Sequence, residues 1–247
     1  MISRSILEWR SSKSLAYDHE MCNRYFQPPC ERINFFRILS VPDPYQGGDV
    51  FPRGTGSFLR TSENGDDLEL VSGQWGLVPH FAKSKALPYS TNNARIESVA
   101  TAASFKLPWA RGQRCIIPAD VFWEPCWESG KNEWWSFRRA DETPWGLAGL
   151  WNRWVDKASG EIVESYTMLT QNADAHPIMR RMHKPDRKLG PDQQDKRSVV
   201  SLEPSEFEQW LLGTVADAKA LIKLAPTEVF DAQPEITPAT PESGSLF

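Results

Sequence analysis

The chain lacks an apolar run long enough to cross a membrane, and residues 1–20 lack the apolar stretch of a secretory signal. Cysteine is also scarce: the four cysteines form no Cys-x-x-Cys pair and have no pair of histidines nearby. This spacing argues against a zinc site, and the chain is too long to depend on a disulfide framework. We therefore expect a cytoplasmic protein with reduced thiols and without a metal or an organic cofactor.

Excess charge of either sign is small, because the formal net charge is −4 over 247 residues. Three acidic residues of the C-terminal stretch account for most of it, so residues 21–229 carry a net charge of −1. A nearly neutral body argues against binding to nucleic acid by bulk charge, but it permits a local basic groove. With few phosphate contacts, such binding would depend only weakly on salt.

Between residues 21 and 230 the sequence shows no linker and no internal repeat, so we expect one domain and a monomer. Residues 231–247 are rich in Pro, Ser, Thr and Glu, which is typical of a disordered tail. Residues 1–20 precede a Met-Cys pair, and we expect them to be an N-terminal extension that is absent from the mature protein.

The middle of the chain has five segments rich in β-branched and aromatic residues, separated by turn residues, which predicts strands. These segments are residues 114–118, 120–126, 133–138, 145–151 and 162–170. The predicted helices are residues 96–105, which Pro108 would end, 204–212 and 215–223. This arrangement predicts an α+β fold, a single domain of mixed or antiparallel sheets, barrel-like or sandwich-like, with flanking helices.

Met21 and Cys22 are the most informative pair for chemistry. A chain that starts at Met21 and loses this methionine would begin at Cys22 with a free α-amine. The amine and the thiol have ordinary pKa values of roughly 7.7–8.0 and about 8.5, so both are partly nucleophilic near neutral pH. An aldehyde, such as the ring-opened sugar of an abasic site, would form an imine with the amine, and the thiol would then close a thiazolidine ring. The alternative is an ordinary buried cysteine.

Seven short segments follow one another in a recognisable order. They are Cys22-Asn23-Arg24-Tyr25, Asp49-Val50-Phe51-Pro52, Trp75-Gly76-Leu77-Val78-Pro79, Asn93-Ala94-Arg95 with Glu97, Arg114-Cys115-Ile116-Ile117-Pro118-Ala119-Asp120 with Phe122-Trp123-Glu124, Ala148-Gly149-Leu150-Trp151 and Met168-Leu169-Thr170. In this order they resemble the motifs of the SOS-response-associated peptidase (SRAP) family over about residues 21–212. Each segment alone is a weak signal, whereas the ordered set is specific.

The resemblance implies a catalytic centre of four residues. Cys22 would be the nucleophile, and the Asn93 amide would hold the cysteine and the sugar oxygen in place. Glu124 would carry protons between the amine and the opened sugar, although a strand-end ion pair is its alternative role. His183 would give a proton to the sugar ring oxygen, as an imidazole with a pKa near about 6.5 is able to do.

Two histidines compete for the family's histidine position. His183 follows an apolar residue, as in the family motif, and residues 185–196 would then be an insertion; His176 is the alternative. Departures from the family pattern occur at Asn23, Pro125 and Cys126.

The resemblance also implies four contacts to DNA. Arg24 and Arg95 would grip flanking phosphates through bidentate hydrogen bonds. Trp75 and Pro52 would form an apolar wall on which neighbouring bases stack. Taken alone, each arginine also fits a surface salt bridge, and the tryptophan also fits core packing.

The sequence thus predicts a covalent crosslink between Cys22 and an abasic site in single-stranded DNA, formed in the DNA damage response and close to the nucleoid. Abasic-site lyase activity and autoproteolytic removal of residues 1–20 are further activities that the family implies. One alternative is a cysteine peptidase with His183 as base and Glu124 or Asn93 as orienting group. The other is a non-catalytic module for single-stranded DNA, which would use the tryptophans and a basic cluster. This cluster consists of Arg180, Arg181, Lys184, Arg187 and Lys188.

Overall fold

The computed structural model of the protein describes most of the chain between Cys22 and Glu235. The described residues are 22–38, 41, 45–62, 65, 67–190 and 193–235. The predicted extension, residues 1–20, lies outside them, and so does the predicted tail beyond residue 235. Within the described ranges, no helix combines the length and the apolar character needed to pass through a membrane.

The described residues form thirteen strands and four short α-helices. In chain order these are β1 (Tyr25–Gln27), α1 (Cys30–Ile33), β2 (Gly48–Val50), β3 (Thr55–Thr61), β4 (Leu68–Trp75), β5 (Asn93–Arg95), α2 (Lys106–Ala110), β6 (Arg114–Ala119), β7 (Val121–Cys126), β8 (Glu133–Arg139), β9 (Trp145–Val155), β10 (Ile162–Asn172), β11 (Arg197–Val199), β12 (Ser201–Leu202), α3 (Phe207–Leu212), α4 (Val215–Ala220) and β13 (Phe230–Pro234).

Five strands close into a barrel in the order β4, β3, β6, β9 and β10. The pairing of β10 with β4 is parallel and completes the circle, whereas the other pairings in the barrel are antiparallel. Three short strands extend this sheet: β5 and β11 pair with β10, and β12 pairs with β9. Closure leaves the long strands with few open edges.

A second sheet of five antiparallel strands has the order β13, β8, β7, β1 and β2. Strand β6 of the barrel continues into β7 of this sheet through Asp120 alone. The backbone N–H of Asp120 donates to Phe26 in β1 at 2.8 Å. The chain therefore passes directly from one sheet to the other, and the ends of β1 and β7 lie close to the barrel.

Side chains of β6 alternate between two apolar cores, because successive residues of a strand point to opposite faces. Cys115 and Ile117 belong to a core that the barrel shares with residues of the second sheet, such as Phe122. Ile116 belongs to another core, which the helices cover with residues such as Trp210. Burial on both faces explains why β6 is an unbroken apolar run in the sequence.

The predicted α+β class, with barrel-like sheets and flanking helices in one domain, is confirmed. The five predicted strands are β6 to β10, and β9 and β10 extend beyond the predicted ends to Val155 and Asn172. The predicted helix at 204–212 is a 3-10 turn followed by α3, and the helix predicted at 215–223 ends at Ala220.

Two predictions are wrong. Residues 96–105 form successive turns, and the helix starts only at Lys106, with Pro108 inside its first turn. Proline is tolerated there because the first N–H groups of a helix have no acceptor within it. The tail does not begin at residue 231, because Phe230 packs against Trp145 with ring centroids 5.2 Å apart and leads into β13, which pairs with β8.

Candidate active site

Cys22 lies just before β1, and its side chain is fully buried. Its Sγ lies 3.6 Å from the carbonyl oxygen of Arg24. Because Tyr25 lies opposite Phe122 in the pairing of β1 with β7, the chain at Cys22 runs beside the end of β7 that carries Glu124. Burial raises the pKa of the Cys22 thiol well above its ordinary value, and the Glu124 carboxylate raises this pKa further. The thiol is therefore protonated at neutral pH.

Asn93 holds the backbone of Cys22 from the barrel side. It is the first residue of β5, which runs parallel to β10 with Asn93 opposite Met168. Its Nδ2 donates to the carbonyl oxygen of Cys22 at 3.1 Å. Its Oδ1 is buried and has no hydrogen-bond partner among the described residues. A buried acceptor of this kind, next to a thiol, is available to a hydroxyl group of a substrate.

Glu124 and His183 form a largely buried pair near the Cys22 thiol. His183 Nε2 lies 3.0 Å from Glu124 Oε2, and the carboxylate is 1% exposed. The backbone N–H of His183 donates to the carbonyl of Pro125 at 2.6 Å, which ties the histidine to the strand that carries its partner. The other ring nitrogen, Nδ1, is buried and unpaired within the described part of the chain. The pair therefore offers two positions for proton transfer.

His176 is occupied by the backbone and does not reach Glu124. Its Nε2 lies 2.9 Å from the carbonyl oxygen of Ala225, and its Nδ1 accepts from the N–H groups of Ile178 and Met179 at 3.2 and 3.1 Å. Of the two candidate histidines, the structure brings His183 to the carboxylate.

A groove of about 700 Å³ runs past His183. Pro52 lines it as predicted, together with Phe51, which is 52% exposed. Trp127 and Trp134, on the hairpin formed by β7 and β8, also line it. The two tryptophans were missed in the sequence because they stand outside the family motifs. Their signal was the aromatic content of this hairpin, since exposed aromatic rings are suited to stacking with bases.

Arg24 and Arg95 both line the groove, and both are held by carboxylates. Arg24 Nε lies 2.8 Å from Asp49 Oδ1, and its Nη1 lies 3.1 Å from Glu235 Oε1. Arg95, which is about half exposed, pairs with Asp195. The two arginines predicted to bind phosphates therefore line the groove, and acidic side chains pair with their guanidinium groups.

Trp75 does not line the groove, and the prediction that it stacks with bases is wrong. Its side chain is fully buried, and its Nε1 donates to the carbonyl oxygen of Asn92 at 2.9 Å. Its ring also packs edge-on against Tyr25, with centroids 5.1 Å apart. Trp75 therefore supports the backbone next to Asn93 from inside the core, as buried indoles with a partnered N–H commonly do.

The three departures from the family pattern have local explanations. Asn23 accepts a hydrogen bond from Asn92 at 3.3 Å. Pro125 lies beyond the part of β7 that pairs with β1, and its carbonyl accepts from the histidine described above. Cys126 is buried beside the carbonyl of Arg181, and burial raises the pKa of its thiol. This extra cysteine is therefore a core residue.

Of the segment predicted to be an insertion, residues 185–196, the structure describes 185–190 and 193–196, and side chains of both parts line the groove. The side-chain amide of Gln194 donates to the carbonyls of Asp186, Leu189 and Gly190, which ties the two described parts together. Lys196 reaches back from its end and donates to the carbonyl of His183 at 2.8 Å. Lys196 was missed because thirteen positions separate it from the histidine and no motif surrounds it.

Similarity to known proteins extends over nearly all of this structure. Residues 21–240 match the family model described as SOS response associated peptidase (SRAP). The chain belongs to the SRAP family. The abasic site processing protein YoqW of Bacillus subtilis is 32% identical over 109 residues, which are 42% of this chain and 47% of YoqW. The abasic site processing protein HMCES of Pongo abelii is 27% identical over 203 residues, 69% of this chain and 53% of HMCES. This SRAP chain thus spans about half the length of these curated relatives.

Solved structures share this fold. A crystal structure of a protein from Bordetella bronchiseptica is 34% identical, with a TM-score of 0.76 over 87% of this chain and 100% of that chain. A structure from Bacteroides thetaiotaomicron has 23% identity and a TM-score of 0.68, covering 86% of this chain and 91% of that one. The second likeness shows that this fold persists at low sequence identity.

Proposed function

We propose that this SRAP protein forms a covalent crosslink with an abasic site in single-stranded DNA and so shields the lesion. The observation that carries the proposal is the position of Cys22, held by Asn93, next to the pair of Glu124 and His183. The names of the relatives, abasic site processing proteins, support the same lesion as substrate. In the reactive form Cys22 is the first residue, either because synthesis starts at Met21 or because the preceding residues are removed.

The first step prepares the aldehyde. An abasic deoxyribose exists mainly as a ring, and opening it moves one proton from the hydroxyl at C1 and delivers another to the ring oxygen. In this scheme the unpaired Asn93 Oδ1 accepts a hydrogen bond from the C1 hydroxyl, the imidazole of His183 gives a proton to the ring oxygen, and Glu124 takes the proton that leaves the C1 hydroxyl. Glu124 then returns this proton to His183 through their hydrogen bond, so the pair regains its starting state.

The covalent steps then involve both nucleophiles of Cys22. The α-amine attacks the aldehyde carbon, and the carbinolamine loses one water to give an imine. The sulfur attacks the imine carbon, the thiol proton passes by way of Glu124 to the nitrogen, and a neutral thiazolidine results. The raised pKa of the thiol suits this order of steps. The thiol stays protonated until the imine has formed, and its proton is then available to the imine nitrogen. β-Elimination from the imine, which would cleave the strand, competes with ring closure.

The site is less suited to a cysteine peptidase. That mechanism requires a thiolate at neutral pH, generated by a histidine next to the cysteine. Here burial and the Glu124 carboxylate raise the pKa of the Cys22 thiol, and His183 Nε2 faces Glu124. Among the described residues, no hydrogen bond joins Cys22 to His183.

The test is intact mass spectrometry of protein expressed from Met21, before and after incubation with an oligonucleotide that carries one abasic site. We expect a species whose mass is the sum of protein and oligonucleotide less one water. Cys22→Ala should abolish this species and retain DNA binding, whereas the control Cys30→Ala, at an exposed cysteine, should retain both. A folded protein with a verified N-terminal cysteine and no adduct would rule out the proposal, and peptide substrates would be tested next.

A further inference from the structure

His183 has a backbone conformation that needs support. Its φ is 64°, in the left-handed region, where the Cβ of any residue other than glycine is crowded. Non-glycine residues persist there when the surrounding structure holds them in place. His183 is also the residue whose ring must meet Glu124, so whatever maintains its backbone also sets the direction of its side chain.

The ammonium group of Lys196 binds the backbone carbonyls of His183 and of the residue before it. Lys196 Nζ donates to the carbonyl oxygen of Met182 at 2.6 Å and to that of His183 at 2.8 Å. The N–H of His183 is bound separately by Pro125, on the strand that carries Glu124. The backbone of His183 is therefore fixed at both its N–H and its carbonyl.

Lys196 is itself rigidly placed. Its N–H donates to Asp174 Oδ1 at 2.8 Å, and its carbonyl accepts from the N–H of Ala173 at 2.7 Å. Both partners directly follow β10, so the lysine is anchored to the barrel. The side chain lines the groove and is partly buried, which lowers the pKa of its amine, while Asp174 and Glu128 oppose this shift. The lysine thus connects the barrel to the histidine that is bound to Pro125 of β7.

We propose that Lys196 is a positioning residue, which holds His183 in its left-handed conformation and thereby keeps the imidazole against Glu124. This inference rests on the proposed function for the role of His183, but the contact itself is independent of that role. Without the ammonium group, two carbonyls lose their donor, and the backbone of His183 is free to move to a less crowded region. The imidazole then leaves the carboxylate.

The experiment uses protein expressed from Met21, as in the crosslinking test above, and compares Lys196→Met with Lys196→Arg. The methionine keeps the length of the side chain but has no donor, whereas the arginine supplies several donors. The chain has four histidines, so the ¹⁵N resonances of the His183 imidazole are assigned by their loss in His183→Asn. The matched control is Lys157→Met, at an exposed lysine in the turn between β9 and β10.

At a fixed neutral pH, we expect Lys196→Met to shift both His183 ring nitrogens and to slow crosslinking to an abasic-site oligonucleotide by roughly 10-fold or more. Lys196→Arg should restore both values, and Lys157→Met should change neither. Unchanged His183 resonances in folded Lys196→Met would overturn the inference. If Lys196→Met does not fold, Lys196→Gln, which keeps one short donor, replaces it with the same expected direction. If the resonances move as expected but the wild-type protein forms no crosslink, the proposed function fails and the positioning role stands.

Discussion

A single carboxylate connects the reactive groups at the scale of residues. Glu124 bonds to the imidazole of His183 and lies close enough to the Cys22 thiol to raise its pKa. A carboxylate in this position is suited to proton transfer. It disfavours formation of a thiolate at Cys22, because its negative charge raises the pKa of the thiol. The residue environment therefore favours the proposed imine chemistry, which starts at an amine.

The substitution Glu124→Gln should separate chemistry from binding. We expect single-turnover crosslinking to an abasic-site oligonucleotide to slow roughly 100- to 10,000-fold, because a positioned proton carrier contributes a factor of this size. Affinity for an undamaged single strand should stay the same, since the carboxylate is 1% exposed. Glu133→Gln, at an exposed position of the same hairpin, is the control, and a full crosslinking rate in Glu124→Gln would remove Glu124 from the mechanism.

The sequence predicted the members of the site better than their surroundings. The motif resemblance placed Asn93, Glu124 and His183 in one centre, and the structure brings them together around Cys22. It could not show which side of a strand an indole faces, so Trp75 was assigned to the groove although it belongs to the core. Contacts between residues far apart in the sequence, such as that of Lys196 with His183, also leave no local sequence pattern.

At the scale of elements, two segments bring carboxylates to the arginines of the groove. The segment 185–196 supplies Asp195 to Arg95, and the residue after β13, Glu235, pairs with Arg24. A phosphate that binds either arginine meets a competing acid. Under the proposed function, we therefore expect these elements to limit the affinity for undamaged strands.

Removal of one competing carboxylate should strengthen DNA binding. We expect Asp195→Asn to lower the Kd for a single-stranded oligonucleotide about 2- to 5-fold, which corresponds to the usual strength of an exposed ion pair. Fluorescence anisotropy at low salt measures this change. Glu208→Gln removes the same charge at an exposed position of α3 and should have a smaller effect. Equal effects of the two variants would mean that DNA does not displace Asp195.

Elements were predicted where the pattern was local. The strands β6 to β10 followed from runs of apolar and aromatic residues. The short strands β5, β11 and β12 have only two or three residues, too few for a periodic signal, and they exist because β10 or β9 offers a partner. The tail was predicted to start too early, at residue 231. The packing of one aromatic residue, Phe230, against the core brings the polar residues after it into β13.

At the scale of the whole molecule, ion pairs link the second sheet to the helical side of the barrel. Arg139, the last residue of β8, binds Asp141 at 2.9 Å and also Glu203, just before the turn that leads to α3. Hydrogen bonds from the Arg139 guanidinium lower the pKa of Asp141 well below its ordinary range. Folding therefore favours the ionised form of this aspartate.

The contribution of this ion pair to stability should depend on pH. Since the pKa of Asp141 is lower in the folded than in the unfolded protein, its stabilising effect is complete above the unfolded value of about 3.9 and is lost as the pH falls towards the folded value. Wild type should therefore have a higher Tm than Asp141→Asn at pH 7, and the gap should narrow below about pH 4. A gap that is the same at pH 7 and pH 3 would contradict this assignment.

The fold class could be predicted from the sequence, but the closure of the barrel could not. Composition and strand patterns indicated mixed sheets with flanking helices, and the structure confirms them. Closure depends on the parallel pairing of β10 with β4, which joins Tyr166 to Trp75 across a long stretch of chain. A strand's pattern shows which face is buried and does not identify its neighbour.

The hydrogen bond from Asn93 to Cys22 crosses from the barrel strand β5 to the beginning of the second sheet. The site therefore lies where the two sheets meet. Asn93 and Cys22 cannot move apart without breaking this hydrogen bond. In terms of amide hydrogen exchange, residues of β1 and β5 near the site should exchange through a shared opening rather than through independent local fluctuations. A lesion attached to Cys22 and bound by Asn93 would hinder this opening. Damaged DNA should therefore slow amide exchange in β1 and β5 together.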